Sequence, residues 1–366
     1  MVSISQVGAA WRRAGSTLAE RLFLDRQAEF WLGELDPVLS LGEVRARVVE
    51  VIEETRDTKT FVLRANGAWR GHRAGQYTLV EVEVDGVRVR RCYSISSAPE
   101  EPHVSITVKR VPGGRVSTWL HDNVRAGHML RLGPASGDFV LPARNPDKLL
   151  LLSGGSGITP VMSILRDLAA RESIHDVVFV HHARSRADVI FGEELSVLAT
   201  RHAGLRLVLC TDDDASGPHG FDEASFATLV SDFAERSTFL CGPKPLMDRA
   251  ERLWESVGAS DSLELERFTQ ALRPLPTVGT ADGVQVRLGR SGRNVAAKGQ
   301  GSLLEQLERA GERPAHGCRI GICHACRCRK QSGTVQNLVT GEVSSEPDEE
   351  IQLCISTPRT DLLLDL

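Results

Sequence analysis

The sequence has neither a long basic run nor a long hydrophobic run. Its 44 lysines and arginines are balanced by 48 aspartates and glutamates, for a formal net charge of -4, which argues against a nucleic-acid-binding surface. The most apolar short stretch, residues 149–152, is far shorter than the roughly 20 residues that cross a bilayer, and no secretory leader is recognisable at the N-terminus. We therefore expect a cytoplasmic protein with no membrane span of its own.

The composition is that of neither a disordered chain nor a small disulfide-bonded one. Hydrophobic residues make up 41% and charged residues 25%, close to the averages of folded soluble proteins. A chain of 366 residues is too long for one compact core, so we expect several domains. Four of the eight cysteines lie within eleven residues, 318 to 328. In a chain without an export signal, this crowding indicates metal ligation rather than disulfides.

Hydrophobic periodicity divides the first half of the chain into an extension and a β-rich domain. Residues 1–41 have a loosely helical pattern, which predicts either a helix that packs on the next domain or a docking surface for a partner or membrane face. Residues 42–146 change to period two. Valines alternate with glutamates over residues 80–84 up to a turn at Asp85-Gly86, which predicts a hairpin within an antiparallel sheet or small barrel.

The second half of the chain predicts an α/β domain, a linker and a small third domain. In residues 147–268, short apolar strands alternate with helices, a rhythm that forces parallel pairing through crossovers and predicts a doubly wound α/β fold. Residues 269–279 contain two prolines and few hydrophobic residues, which suits a linker. Residues 280–366 carry the cysteine loop.

The cysteine spacing predicts an iron-sulfur cluster. Cys318 is followed after four residues by Cys323, after two more by Cys326, and at a distance by Cys354. This is the pattern of plant-type [2Fe-2S] clusters, whose two irons need four thiolates from a tight loop. The alternative is a zinc site. Its ligands would be Cys323, Cys326, Cys328 and either His316 or His324.

A glycine-rich turn, SGGSGITP at residues 153–160, follows the first strand of the α/β domain and opens its first helix. A backbone without Cβ atoms can close on a pyrophosphate, and a helix N-terminus offers free N–H groups to it. The alternative is a plain tight turn. The turn lacks the third glycine of GxGxxG, so an ordinary Rossmann dehydrogenase is not the best match. The candidate nucleotide-binding residues are Gly155, Ser156, Gly157 and Thr159.

Two further segments lie at the ends of strands in this domain. Cys241 begins CGPKPLM, residues 241–247, before the last helix; we interpret its sulfur as a neighbour of a nicotinamide ring, the alternative being a buried cysteine. Arg184, Ser185 and Arg186 follow the second strand, where a dinucleotide's adenosine ribose would lie and where we expect no acid to bind a free 2′-hydroxyl. Two arginines suit a 2′-phosphate and favour NADPH over NADH, unless they are only solvated surface charges.

On the return strand of the hairpin, Arg91-Cys92-Tyr93-Ser94 alternates between two faces. An arginine can clamp a phosphate, a tyrosine can stack on a flat ring, and a serine hydroxyl can hydrogen-bond flavin N5. Downstream, Val108-Lys109 and residues 113–117 add backbone donors near a helix that we predict to start at Thr118. These residues predict a flavin site.

Together these segments resemble the ferredoxin-NADP reductase superfamily over residues 42–366, in the subgroup that fuses flavin, nicotinamide and plant-type ferredoxin domains in that order. The resemblance implies a multidomain chain with an antiparallel FAD-binding β-barrel, a doubly wound α/β NAD(P)-binding domain and a β-grasp (α+β) ferredoxin domain, with FMN as the alternative flavin. The implied flavin residues are Arg91, Cys92, Tyr93, Ser94, Val108, Lys109, Gly114, Arg115, Val116 and Ser117, covered by the aromatic ring of Phe268. The implied nicotinamide residues include Gly242, Pro243, Leu246 and Met247.

The resemblance also implies a function. Electrons would pass from NADPH through FAD to the [2Fe-2S] cluster, with Ser94 and Cys241 flanking the reacting atoms, and then to an oxygen-activating diiron or Rieske-type protein. Residues 30–37 resemble the extension of bacterial reductases that serve membrane fatty acyl desaturases. We therefore expect a membrane-bound desaturase as partner, which would place the protein peripherally at the membrane. The alternatives are a reductase for a soluble oxygenase, epoxidase or Rieske hydroxylase, and a non-catalytic redox sensor.

Overall fold

The computed structural model describes residues 38, 40, 42–84, 86–213, 221–268, 283–297, 301–317, 319, 321 and 324–366. The predicted linker and nearly all of the predicted N-terminal extension lie outside these residues. So do two of the predicted cluster ligands, Cys318 and Cys323. The described strands form four sheets.

The first sheet is a six-stranded antiparallel barrel. Its strands are β1 (Val44–Thr55), β2 (Thr58–Ala65), β3 (Tyr77–Val84), β4 (Val87–Ser94), β5 (Val104–Lys109) and β6 (Met129–Leu132). They pair in the order β4-β3-β6-β1-β2-β5, and a bridge between Ile95 and Ile106 joins the two edges. The predicted β-barrel is thus confirmed.

The predicted hairpin is strands β3 and β4. Val80, Val82 and Val84 are buried while Glu83 is exposed, as period-two alternation requires of a strand with one dry face. Helix α1 (Arg115–Asn123) follows β5. It begins three residues before the predicted start at Thr118, because Gly113, at φ +72, already turns the chain into the first helical residues.

The second sheet is the predicted doubly wound domain. Its five strands, all parallel, are β7 (Leu149–Gly154), β8 (Val177–Ala183), β9 (Leu205–Thr211), β10 (Ser237–Cys241) and β11 (Leu263–Glu266). The helices are α2 (Ile158–Ala170), α3 (Gly192–Arg201), α4 (Glu223–Leu229) and α5 (Lys244–Ser256). The strand order is β11-β10-β7-β8-β9. Leu149 and Leu151 pack in a core with α2 and α3, whereas Leu150 and Leu152 pack in a second core with α4 and α5. Helices therefore cover both faces.

The third domain is a mixed sheet with one helix. Its strands are β12 (Val284–Leu288), β13 (Asn294–Ala297), β14 (Arg327–Ser332), β17 (Glu349–Gln352) and β19 (Leu362–Leu364), paired β13-β12-β19-β14-β17; a smaller sheet, β16-β15-β18, is formed by β15 (Val335–Asn337), β16 (Val343–Ser344) and β18 (Ser356–Pro358). Helix α6 (Leu303–Arg309) starts at a capping box of Ser302 and Glu305 and buries Leu303, Leu304 and Leu307. This is the expected α+β ferredoxin fold.

No helix among the described residues is both long and apolar enough to cross a bilayer.

Candidate functional site

A cavity of about 530 Å³ opens at the carboxyl edge of the parallel sheet. The turn after β7 forms part of its wall. Gly155 has φ +52 there, and no atom lies within 4 Å of where a Cβ would stand, so its bare backbone faces the open space. The turn leads directly into α2, and the partial positive charge at the N-terminus of that helix favours an anion; the Ile158 N–H itself bonds the Gly155 and Ser156 carbonyls. This geometry fits the phosphates of a dinucleotide, as predicted for residues 153–160.

The other glycines of this edge serve packing between two loops. A Cβ on Gly157 would lie 2.2 Å from the carbonyl oxygen of Cys241, and one on Gly154 would lie 2.8 Å from Cδ of Pro243. A Cβ on Gly242 would meet Leu246 at 2.8 Å. Distances under 3 Å to neighbouring atoms leave no room for any side chain. The glycine turn and the Cys241 loop are therefore in direct contact, which the sequence did not indicate.

The cavity brings together only part of the predicted nucleotide set. It is lined by Lys109, Gly155, Arg184, Pro243 and Leu246; the flavin role of Lys109 stays a prediction. Ser156 and Thr159 stay in the turn, where the Thr159 hydroxyl donates to the Ser156 carbonyl at 3.0 Å. Met247 is buried in the core beneath α5. It holds the helix in place and does not line the cavity.

Carboxylates surround Arg184, which modifies the argument for a 2′-phosphate. Its guanidinium lies 3.3 Å from Asp188 and 3.5 Å from Asp57, and the Ser185 hydroxyl donates to Asp188 at 2.9 Å. Asp188 and Asp212 both line the cavity, so the expectation that no acid lies there is wrong. Asp188 lies two residues after Arg186, and Asp212 directly follows β9, the strand that pairs with β8. Arg186 lines a different cavity.

Three side chains converge where the barrel meets the parallel sheet. Cys241 and Glu266 are register partners at the ends of β10 and β11, and the Ser94 side chain, from the end of β4, is close enough to the Glu266 carboxyl to lower its pKa. Ser94 and Cys241 are buried. The two residues predicted to flank the reacting atoms are thus both neighbours of Glu266.

Glu266 was not predicted from the sequence. Part of the residue is exposed, but its Oε2 atom is buried and has no hydrogen-bond partner among the described residues. Burial raises the pKa of this carboxyl from the usual 4.5 to about 8, and the nearby Ser94 side chain offsets only part of that rise. Burial, and then the nearby Glu266 charge, also raise the pKa of the Cys241 thiol. At neutral pH both groups are therefore mainly uncharged.

Two histidines on β8 were also missed. The Ser153 hydroxyl lies 2.9 Å from Nδ1 of His181, and both residues are fully buried. Burial lowers the pKa of His181 to about 3 and that of His182, which lines the cavity, to about 4. Both rings are neutral near pH 7. Positive charge at the nucleotide cavity therefore comes from Lys109, Arg184 and Arg249.

The remaining predicted flavin residues follow the barrel edge. Arg91, Cys92 and Tyr93 are half-buried on β4, and Arg115 is exposed, with its guanidinium donating to the Val84 carbonyl at 3.2 Å. Val108 and Val116 are buried. A Cβ on Gly114 would lie 2.5 Å from the Ser117 hydroxyl, which itself accepts from the Val111 N–H at 3.2 Å. Gly114 is needed for this tight loop. Phe268 is 38% exposed, and its covering role stays a prediction.

Two of the predicted cluster ligands lie among the described residues. The sulfurs of Cys326 and Cys354 are 3.2 Å apart and buried, and the Leu353 N–H donates to the Cys326 carbonyl at 3.1 Å. Gly321, at φ +83, lies against Ile355. A Cβ at this position would be 2.8 Å from the Ile355 side chain, so there is no room for one. These two thiols are half of the four that a [2Fe-2S] cluster requires.

The zinc alternative has less support in the described residues. Nδ1 of His324 lies 2.9 Å from the Gln352 side-chain amide, and Nε2 of His316 lies 3.0 Å from the Arg319 guanidinium. Cys328 belongs to the domain core, and burial raises the pKa of its thiol to about 11. A buried thiol of this kind acts as apolar filler.

Comparisons with known proteins match all three domains. Models of the oxidoreductase FAD-binding domain, the oxidoreductase NAD-binding domain and the 2Fe-2S iron-sulfur cluster binding domain match residues 45–140, 151–252 and 286–359. An NADPH oxidoreductase of Mycobacterium tuberculosis is 38% identical over 95% of this chain and 91% of its own length. The glycine betaine monooxygenase reductase subunit of Chromohalobacter salexigens is 34% identical over 88% and 95%. Among solved structures, phthalate dioxygenase reductase superposes with a TM-score of 0.60 at 25% identity, over 89% of this chain and 98% of its own.

Proposed function

Because the chain belongs to the ferredoxin-NADP reductase superfamily, in the group with a fused [2Fe-2S] domain, we propose that it supplies electrons from NADPH to a separate oxygen-activating iron enzyme. It is an oxidoreductase that uses NAD(P)H, FAD and a [2Fe-2S] cluster. When bound, the flavin converts a two-electron donor into a one-electron supply for the cluster.

The observation that carries this proposal is the convergence of Ser94, Cys241 and Glu266 beside the nucleotide cavity. The Ser94 hydroxyl can donate to a flavin ring nitrogen, and Cys241 offers a neutral sulfur surface to the nicotinamide. Glu266 has a pKa of about 8, so it can hold or release a proton near neutral pH. These residues bind and orient the cofactors, which supply the redox chemistry.

We infer NADPH as the preferred donor. The support is Arg184 on the cavity wall, whose guanidinium could exchange its contacts with Asp57 and Asp188 for a phosphate. The ratio of kcat/KM for NADPH to that for NADH tests this, and Arg184→Gln should lower the ratio. A ratio below one in the wild-type protein would identify NADH as the donor.

For the acceptor we propose a membrane-bound fatty acyl desaturase. Residues 30–37 resemble the extension of reductases that serve such enzymes. The match to the Mycobacterium tuberculosis relative covers 95% of the 366 residues and so must include part of residues 1–41. The cluster would then deliver electrons to a diiron protein in the bilayer, and this chain would reach the membrane through its partner.

A soluble oxygenase is the second candidate acceptor. It is favoured by relatives named as reductases of glycine betaine monooxygenase and of 3-ketosteroid-9-alpha-monooxygenase, which are 34% and 32% identical to this chain. The order of the three domains is compatible with either acceptor. The partner enzyme, not the reductase, selects the final substrate, so the domain order does not distinguish them.

Anaerobic titration of the purified protein with NADPH tests the common part of the proposal. Flavin absorbance should bleach, and the electron paramagnetic resonance signal of a reduced [2Fe-2S] cluster should appear. If neither changes, the chain is not such a reductase. Reconstitution with desaturase-containing membranes or with a soluble oxygenase then separates the acceptors. A variant that begins at Leu41, without the preceding extension, should lose turnover with the membranes only. Its ferricyanide reduction should stay at the wild-type level. If the variant and the wild type turn over equally with the membranes, the desaturase assignment is contradicted.

A further inference from the structure

Helix α2 connects the nucleotide turn to the flavin strand. It begins at Ile158, directly after the glycine turn. One and two turns along it, side chains donate to the barrel: the Ser163 hydroxyl donates to the Ser97 carbonyl at 2.7 Å, and the Arg166 guanidinium donates to the Ser96 carbonyl at 2.6 Å. Both carbonyls lie within three residues of Ser94. One helix thus contacts the two halves of the site.

Arg166 is held firmly on the side of the nucleotide-binding domain. Its Nε and second terminal nitrogen donate to the two carboxylate oxygens of Glu194 at 2.8 and 2.6 Å. Its guanidinium carbon lies 4.6 Å from the centre of the Phe191 ring. The side chain is only 16% exposed. The bidentate pair with Glu194 and the Phe191 ring together fix the orientation of the guanidinium. Its third nitrogen, Nη1, is the one that donates to the Ser96 carbonyl.

The barrel segment that Arg166 contacts is itself rigid. The Ser96 N–H donates to the Ser105 carbonyl at 2.8 Å, and its hydroxyl lies 2.9 Å from that of Thr107. Ile95 forms the bridge to Ile106 that closes the sheet. A displacement at Ser96 is therefore transmitted to Ser94 rather than absorbed locally.

We propose that Arg166 is a positioning residue for flavin reduction, fixing the Ser94 side of the site relative to the Cys241 and Glu266 side. The N-terminal end of α2 is held by the contact between the glycine turn and the Cys241 loop. Arg166, further along the same helix, holds the barrel segment that follows Ser94. The helix therefore links the two sides of the site. The inference rests on the proposed function, in which reduced nicotinamide gives two electrons and a proton to flavin. Transfer of this kind loses rate steeply when reacting atoms are misplaced by about 1 Å.

Arg236 provides a matched control. It is also a buried arginine, with a bidentate pair to Asp232 at 2.9 and 2.7 Å and a contact to the Leu149 carbonyl at 3.4 Å. All of its partners lie within the α/β domain. Arg236→Gln should therefore lower stability as Arg166→Gln does, without disturbing the contact to the barrel.

The test is anaerobic stopped-flow reduction of the full flavin-loaded chain by NADPH. Arg166→Gln should lower the limiting rate about tenfold or more, with half-saturation by NADPH and flavin content within about twofold of wild type. Arg236→Gln should keep the limiting rate within about twofold. The double variant Arg166→Gln/Glu194→Gln leaves no unpaired carboxylate at Glu194; it should keep the low rate and recover thermal stability.

Hydrogen exchange gives a readout independent of turnover. The amide of Ser96 should exchange faster in Arg166→Gln than in Arg236→Gln. A wild-type limiting rate in Arg166→Gln, or equal losses in the two single variants, would overturn the inference. Failure of the wild-type flavin to be reduced would instead contradict the proposed function, so the two failures are distinguishable.

Discussion

Replacing Glu266 by glutamine should change how stability depends on pH. Burial raises the pKa of this carboxyl to about 8 in the folded chain, against the usual 4.5. Below about pH 4.5 both folded and unfolded chains hold the proton. Between pH 4.5 and 8 only the unfolded chain releases it, so the folded state loses stability as pH rises. Above pH 8 that loss is complete.

The size of the effect follows from the same values. An interval of about 3.5 pH units, at about 1.36 kcal/mol for each, corresponds to about 5 kcal/mol, and we regard this as an upper bound. Glu266→Gln has no titrating proton. Its unfolding free energy, relative to that of the wild type, should therefore rise with pH, by up to about 1.4 kcal/mol per unit between pH 5 and 8.

Urea unfolding followed by circular dichroism at several pH values measures this margin. Glu264→Gln, at an exposed position of the same strand, is the control and should stay within about 0.5 kcal/mol of wild type. If the Glu266→Gln margin is constant to within about 0.5 kcal/mol from pH 5 to 8, then Glu266 ionises like an exposed carboxyl. The role given to it in holding a proton would then be wrong.

Three other variants test the site. Ser94→Ala should slow flavin reduction severalfold while flavin content stays unchanged; wild-type stopped-flow traces would remove its catalytic role. Cys326→Ser should abolish the cluster signal in electron paramagnetic resonance yet keep ferricyanide reduction by NADPH largely intact, and loss of both would contradict separable centres. Gly157→Ala places a Cβ 2.2 Å from the Cys241 carbonyl oxygen and should cost about 2 kcal/mol or more of unfolding free energy. Gly67→Ala, with no atom within 4 Å of its Cβ, is the control; equal effects would show that the loops can separate.

The sequence was sufficient for the fold because its signals are local. Alternation over residues 80–84 and the repeated strand-helix rhythm after residue 147 depend on periodicity, which reflects one buried face at a time. Parallel strands also require crossovers. Local motifs likewise indicated Ser94, Cys241 and the cysteine pattern. What periodicity cannot give is which strand ends lie side by side.

The missed features all arise from contacts between distant segments. Glu266 is significant because it ends β11 in register with Cys241 and beside Ser94, and nothing near it in sequence marks it. The carboxylates at Arg184 come partly from a turn 127 residues away, at Asp57. Lys109, at the end of β5, lines the cavity at the edge of the parallel sheet, a contact that its local motif does not indicate. Long-range charge pairing of this kind has no period to detect.

The closeness of the Cys326 and Cys354 sulfurs, 3.2 Å, has a consequence for the newly made chain. Pairing of β14 with β17, next to which the two cysteines lie, brings half of the predicted thiol set together. In air, two adjacent thiols are prone to oxidise to a disulfide, and a cross-linked pair can no longer receive a cluster. Purified material that has lost its iron should therefore need a reductant as well as iron and sulfide to be rebuilt. Prolonged aerobic storage should produce a fraction that stays cluster-free until it is reduced.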